Sequence, residues 1–565
     1  ENVLDRYKLL LLVPLFVTSS YLYSFDRVSG VDFVSRSEVI AQNGMVATSH
    51  PLATQIGLDI LKNGGNAVDA AIAANIALGL MEPTGNGIGG DLFVIVWDEK
   101  SQKLYGLNAS GPAPEAITID YFEDNNLSKI PSFGPLPVTV PGAVDGWIKL
   151  HERFGLTDFK DLFIPTINYA RNGFPITETI AFYLNSSSKR FSSYPNFKKV
   201  WMPDNKILAK GDVFRNPSLA STLEEISKSK RKSFYEGSIA KVMADFVKEQ
   251  GGFLSTEDLS NYHAEWVEPV STNYRGYDVW ELPPNGQGIA ALQILNVLEN
   301  YDLKKMGLFS SEYIHHFVEA KKLAFEDRAK YYADPDFNDI NINYLISKKY
   351  AKKRMKLIEP LKAMNALDAG VLEDGDTIYL TTADKYGNMV SLIQSNYRGM
   401  GSGMVPPNIG FMLQDRGELF SLNKNHANAL EGGKRPFHTI IPAFITKDGK
   451  PFVSFGVMGG GTQPQAHAQI VINLIDFDLN LQAAGDVSRI VHTGSSQPTD
   501  EIMVDGGQIN LESGFDLNIQ NDLKKYGHTI GDQKGLFGGY QAIMLKDGVY
   551  YGASESRKDG QAAGY

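Results

Sequence analysis

Apolar residues along this chain follow two periods, and the change from one to the other falls near residue 376. Before it, most apolar stretches repeat every three or four residues, as one face of a helix does; beyond it they mostly alternate, as in strands. Residues 40–97 read strand, helix, glycine-rich turn, strand. Asn63, Gly64, Gly65 and Asn66 end one helix, and the alanine-rich run 67–81 forms a second that packs closely. Residues 138–357 are expected to be mainly helical, with helices over 142–154, 289–298 and 310–332 and charged, helix-favouring text over 347–361. Past residue 377 the pattern predicts strands over 378–383, 389–395, 410–413, 439–446, 451–457, 502–504 and 541–545, and helices over 466–475 and 480–489. Strands with helices on either side indicate a layered body.

The hairpin that begins at Thr377 carries the most chemistry. It follows an acidic, glycine-containing stretch, 364–375, of the kind that forms a surface linker and can be cut without dismantling a core. If the bond before Thr377 is cut, the new α-amino group, with an intrinsic pKa of about 7.7–8, becomes a base beside the threonine's own hydroxyl. A threonine in a strand is also ordinary packing. Two glycine-rich turns accompany it. Gly85, Gly87 and Gly90 spell G-x-G-x-x-G, but with a helix before and a strand after, the reverse of a dinucleotide site. The turn 455–462 follows a strand and precedes a helix; it lacks the Gly-Lys-Ser/Thr ending of a P-loop, yet offers the free N–H groups an oxyanion hole requires.

Composition narrows the field. At 565 residues, 43% hydrophobic and 21% charged, the chain is globular. A net charge of −11 argues against a nucleic-acid partner, and the short basic run 228–232 reads as a solvated helix end. The absence of cysteine excludes disulfides, thiol catalysis and zinc–thiolate sites, and the ten histidines show no metal-ligand spacing, so neither a metal nor another cofactor is expected. Arg6 and Lys8 precede an apolar run, 9–17, extended by mixed text to residue 25. This fits an export signal or membrane anchor, which is preferred here over a buried helix and a cytoplasmic chain.

In order, these segments resemble the γ-glutamyltranspeptidase family of N-terminal nucleophile hydrolases. The carriers are Asn66-Ala-Val-Asp-Ala-Ala-Ile-Ala-Ala-Asn75, Gly87-Ile-Gly-Gly90, Val140-Pro-Gly-Ala-Val-Asp-Gly-Trp147, Pro284-Asn-Gly-Gln-Gly288, the Thr377 hairpin, Lys434-Arg-Pro436, Gly459-Gly-Gly461 and the terminal 557–565. The resemblance implies an α+β fold, a four-layer αββα sandwich. It also implies a precursor that cuts itself between Asp376 and Thr377 into a large part, 39–376, and a small part, 377–565, in one intertwined body behind an N-terminal extension, 1–38. Catalysis would fall to Thr377, to Ser395 where the family has a second threonine, and to the N–H groups of Gly459 and Gly460 as oxyanion donors. The expected partners are a small amide or peptide substrate, the two fragments of one precursor, a second copy of the chain and, through the anchor, a membrane.

The substrate pocket departs from the family's pattern. Asn108 stands where an arginine grips the substrate carboxylate, His438 and Thr439 where two serines do, and Tyr397, Arg416 and Leu419 where an asparagine, a glutamine and an aspartate meet the substrate ammonium. An arginine in place of an acid disfavours an ammonium. Two substrate readings remain: γ-glutamyl compounds, with Arg416, Arg398, His438 or Thr439 supplying new carboxylate contacts, or glutaryl-type acyl groups that lack the amine. His438 reads equally as a hydrogen-bonded histidine behind the pocket. The stretch between Phe420 and Arg435 is shorter than in members with a lid over the site, which favours hydrolysis over transfer. A non-catalytic binding protein on the same shell is the reading from another class.

Overall fold

A computed structural model describes residues 27–365 and 376–565. The candidate signal or anchor and most of the acidic linker lie outside these residues. Two seven-stranded sheets face each other. In the first, the order is Gln561–Gly564, Met45–Thr48, Asp376–Ala383, Met389–Tyr397, Asp91–Asp98, Lys103–Ala109, Glu265–Val267, with every pair antiparallel. In the second it is Val39–Ala41, Val549–Ser554, Gly539–Lys546, Lys450–Met458, Ala443–Lys447, Tyr277–Glu281, Val270–Tyr274, again all antiparallel.

Strand alternation divides the apolar residues among three cores. In Asp91–Asp98, Phe93, Ile95 and Trp97 point between the sheets, where they meet Ile440, Phe444 and Ile543. Leu92, Val94 and Val96 point outward, into a core shared with the helix Ala67–Met81. Both faces are covered, which is why the strand reads as one unbroken apolar run. The second sheet sends Val453, Phe455 and Val457 outward against helices Gly288–Leu298, Ser311–Tyr331 and Gln463–Ile475. The layers are therefore helix, sheet, sheet, helix, the αββα sandwich expected.

The helix Ala67–Met81 is buried along its whole length except at Gly79. Small alanine side chains let it lie close on the first sheet, and Asn66 and Asp69 close its first turn as a reciprocal capping box. Helices Ala143–Phe154, Gly288–Leu298 and Ser311–Tyr331 form where the spacing predicts them. The middle of the chain is nonetheless not purely helical, because residues 265–281 supply three strands, two of them at sheet edges, too short to leave a periodic signal. Strands do not form over 410–413 or 502–504. Leu413 and Gln414 give their N–H groups to loop carbonyls of Met404 and Gly89, and Ile502 and Val504 are exposed. In 347–361 the α-helix covers only Lys348–Arg354. Among the described residues no helix is long and apolar enough to cross a membrane.

Candidate active site

The two sheets pack the strand Asp376–Ala383 against Lys450–Met458, the strand that leads into the glycine turn. Across the gap between them Thr381 Oγ1 meets Ser454 Oγ at 2.7 Å, and Gly456 lies against the Tyr379 ring.

Thr377 sits at an irregularity in the hairpin. Asp376 pairs with Tyr397 and Ile378 with Gln394, so three steps on one strand match two on the other. Such bulges re-aim a side chain. The extra residue leaves Tyr397 at φ 78°, a left-handed conformation uncommon for a large side chain. The Thr377 hydroxyl donates to Ser395 Oγ at 3.1 Å. Ser395 Oγ in turn donates to the carbonyl oxygen of Asp376 at 2.9 Å and accepts the Tyr397 N–H at 2.8 Å. One hydroxyl thus touches both the threonine hydroxyl and the carbonyl of the bond preceding it. Gly85 abuts the same point: a Cβ there would lie 3.3 Å from the Thr377 backbone. The far end of the hairpin is tied down by Asp384, which accepts the N–H groups of Tyr386, Asn388 and Ala67.

Asp376 is half-buried, accepts the Thr377 N–H at 2.9 Å and lies 4.0 Å from the Lys558 ammonium. Burial pushes its carboxyl up, and Lys558 opposes the rise. Glu82, hydrogen-bonded by Ser49, is pushed up to about 8, chiefly by burial.

Gly459 (φ 127°) and Gly460 (φ 49°) turn the chain through the left-handed region, where other L-residues are strained. A brace that the sequence did not suggest holds this turn. Gln287 Nε2 donates to the Gly460 carbonyl at 2.8 Å and to that of Thr439 at 2.6 Å, while its Oε1 accepts from the buried Arg328 at 2.7 Å. In the sequence Gln287 stands only within the segment Pro284-Asn-Gly-Gln-Gly288, with no role of its own.

The candidate substrate residues divide into two groups. Arg416, Tyr397 and Thr439 come together. The Arg416 guanidinium lies 4.7 Å over the Tyr397 ring and donates to Thr439 Oγ1 at 2.6 Å, leaving its Nε and one terminal nitrogen without a hydrogen-bond partner. Burial pushes Arg416 down to about 10, opposed by the field of Asp91, Tyr397, Asp415 and Glu418. His438 and Asn108, by contrast, are occupied within the protein. His438 Nε2 meets Asp91 at 2.8 Å, and Nδ1 accepts the Ile440 N–H. Burial and then Arg416 hold the imidazole well below its usual range, so it is neutral and donates to Asp91. Burial lifts Asp91 itself to about 8, against the pull of Arg416. Asn108 Nδ2 donates to Asn285 at 2.8 Å, and its oxygen accepts the Ser110 N–H. Asp91 pairs in register with Ser395, so the Asp91–His438 pair lies behind the site. Arg398 forms a fork with Glu418 on an open cleft of about 830 Å³, also lined by Ser132, Phe420, Asn423 and Asp500.

His315, Glu319 and His528 bring three ligand-type atoms within 4.8 Å of one another. The spacing of four residues on a helix was the available signal. His315 and His528 share a hydrogen bond, and Glu319 pairs with Lys322 at 2.8 Å.

A family model described as gamma-glutamyltranspeptidase matches residues 53–565. The chain belongs to the γ-glutamyltranspeptidase family. As a member it is an enzyme of the N-terminal nucleophile hydrolase type. The glutathione hydrolase-like YwrD proenzyme of Bacillus subtilis is 36% identical, the match covering 93% of this chain and 99% of that protein. The glutathione hydrolase proenzyme of Escherichia coli is 33% identical, covering 93% of each. Among solved structures, a cephalosporin acylase from Bacillus halodurans superposes with a TM-score of 0.87 at 42% identity, over 96% of this chain and 99% of that one. Within the γ-glutamyltranspeptidase family, then, this chain resembles both glutathione hydrolases and acylases.

Proposed function

We propose that the chain is a self-processing amidohydrolase that uses the hydroxyl of Thr377 twice. The observation that carries this reading is the Ser395 hydroxyl, which accepts from Thr377 Oγ1 and donates to the Asp376 carbonyl oxygen. In the first reaction Thr377 Oγ1 attacks that carbonyl carbon. Ser395 takes up the hydroxyl proton while passing its own toward the carbonyl oxygen as negative charge develops there. Collapse of the tetrahedral intermediate breaks the C–N bond, the Thr377 nitrogen leaves as an amine, and water hydrolyses the resulting ester. The fragments are then residues up to Asp376 and from Thr377 onward.

In turnover the freed amine acts as base for the same hydroxyl, which attacks the carbonyl of a substrate amide. The N–H groups of Gly459 and Gly460 receive the oxyanion, the amine portion departs, and water releases the acyl group. Cleavage of γ-glutamyl amides of the glutathione type is the primary reading, supported by the glutathione hydrolase relatives. Arg416 favours a second reading, glutaryl-type acyl groups without an α-amine, because a guanidinium over Tyr397 repels an ammonium. The acylase likeness agrees with it. Hydrolysis is expected to exceed transfer. The stretch after Phe420 closes on itself through Ser421–Asn428 and Leu430–Ser421 backbone bonds, and the cleft beside it is open.

A denaturing gel with N-terminal sequencing tests the first reaction. Two bands are expected, the smaller beginning Thr-Ile-Tyr-Leu, with Thr377→Ala remaining a single 62.2 kDa band; an uncut wild-type protein defeats the proposal. Side-by-side γ-glutamyl and glutaryl anilides, with and without a dipeptide acceptor, decide the acyl preference and the share of transfer.

A further inference from the structure

One face of the helix Ser311–Tyr331 presents two buried cations beside the Gly460 turn. Lys321, Phe325 and Arg328 stand at i, i+4 and i+7. The Lys321 ammonium lies 4.0 Å and the Arg328 guanidinium 3.9 Å from the centre of the Phe325 ring. All three line a recess of about 50 Å³ whose other walls include Tyr397, Gly460 and Gly461, and no aspartate or glutamate lines it.

Neither cation has a carboxylate within ion-pair distance among the described residues. Lys321 spends its three donors on neutral acceptors: His492 Nδ1 at 2.9 Å, the His492 carbonyl at 3.0 Å and Ser495 Oγ at 2.8 Å. His492 is itself neutral: its Nδ1 accepts from Lys321, its Nε2 donates to the Gly506 carbonyl, and burial holds the imidazole well below its usual range. Arg328 donates to the amide oxygens of Gln287 and Gln497, and its Nε has no partner. Glu326, the acid that both feel through space, accepts a hydrogen bond from Ser496. Other buried cations are matched, Arg435 to Asp334, Arg489 to Glu555 and Lys322 to Glu319, whereas Arg416 and Lys434 also have only neutral hydrogen-bond partners. An unmatched buried charge is costly, and burial accordingly pushes Lys321 well below its usual range and Arg328 down to about 9. An arriving anion relieves that cost.

We propose that this recess binds a carboxylate of the substrate. The space of about 50 Å³ exceeds the roughly 10–15 Å³ that one water needs and suits a carboxylate rather than a ring. The recess takes one wall from the end of the nucleophile's hairpin, Tyr397, and another from the oxyanion turn, Gly460, so the anion it holds belongs to the molecule being cleaved. Two parts of an amide can supply it: the far end of the acyl group, or the amine portion that departs. The inference rests on Thr377 being the nucleophile.

The test compares self-cleaved wild type with Lys321→Met and Lys321→Arg on matched anilides. Glutaryl and pentanoyl 4-nitroanilide differ in the acyl carboxylate; pentanoyl 4-nitroanilide and pentanoyl 3-carboxy-4-nitroanilide differ in the departing one. In one pair the wild-type preference for the carboxylate compound is expected to fall at least about tenfold in Lys321→Met, mainly through KM, and to persist in Lys321→Arg. The neutral anilide should keep its kcat. The pair affected identifies the source. A preference unchanged in both pairs overturns the proposal, whereas a wild type that neither cuts itself nor hydrolyses any anilide overturns the Thr377 reading instead. Inhibition of the wild type supplies a measurement independent of any variant. Glutarate or 3-carboxy-4-nitroaniline should inhibit at least about tenfold more strongly than glutaramide or 4-nitroaniline respectively, and equal inhibition within both pairs also overturns the proposal.

Discussion

At the scale of single residues, the site depends on a hydroxyl rather than on a charge. Ser395 contributes one oxygen to three hydrogen bonds, so Ser395→Ala should slow both self-cleavage and anilide hydrolysis by about 10²–10³-fold, the usual cost of losing a donor to a developing oxyanion. Ser395→Thr should retain most of both rates; gel time courses and kcat measure this. Glu82 yields a prediction of a different kind. Its pKa in the folded protein is about 8 against an ordinary 4.5, so the folded chain holds this proton more tightly than the unfolded one. That stabilisation is complete below the unfolded pKa and is lost as pH rises through about 8. Glu82→Gln keeps an acceptor for Ser49 without the charge. Its Tm should match the wild type near pH 5 and exceed it by roughly 1–3 °C at pH 9; parallel curves would contradict the assignment.

At the scale of elements, the Gly459–Gly460 turn is held from outside by the Gln287–Arg328 brace. Gln287→Leu should lower kcat by about 10–100-fold with KM little changed, because the brace acts on the proposed oxyanion donors rather than on the bound substrate. A change confined to KM would argue against that role. Much of this level was legible beforehand. The Thr377 hairpin, the glycine turn and the long helices announce themselves through local period and turn chemistry. The short strands at 265–281 and the loops at 410–413 did not, since their state depends on partners far away in sequence. Arg416, Tyr397 and Thr439 were found as candidates and do cluster. His438 and Asn108 were found equally readily, yet their polar groups are used by Asp91, Asn285 and Ser110. Residue type shows what a side chain can bind, while burial and neighbours decide whether it is free to do so. Lys321 and Arg328 gave no signal, for their significance lies in the acids missing around them.

At the scale of the whole molecule, neither side of the proposed cut owns a sheet. The first sheet combines strands from both parts, with Met45–Thr48 lying between Gln561–Gly564 and Asp376–Ala383, and the second is flanked on both edges by strands from before residue 376. The cleaved enzyme should therefore melt in a single transition, as calorimetry can show, and the parts expressed separately should be insoluble through their unpaired strand edges. The same arrangement bears on timing during synthesis. The strand Gln561–Gly564 covers Met45–Thr48, and Tyr565 hydrogen-bonds Asn43 and Gly44. The neighbour of the strand that carries Thr377 is thus covered only after Gln561–Gly564 has left the ribosome. A chain stopped before Gln561 should remain in one piece, so that the nucleophile is released only in molecules whose translation has run to that point.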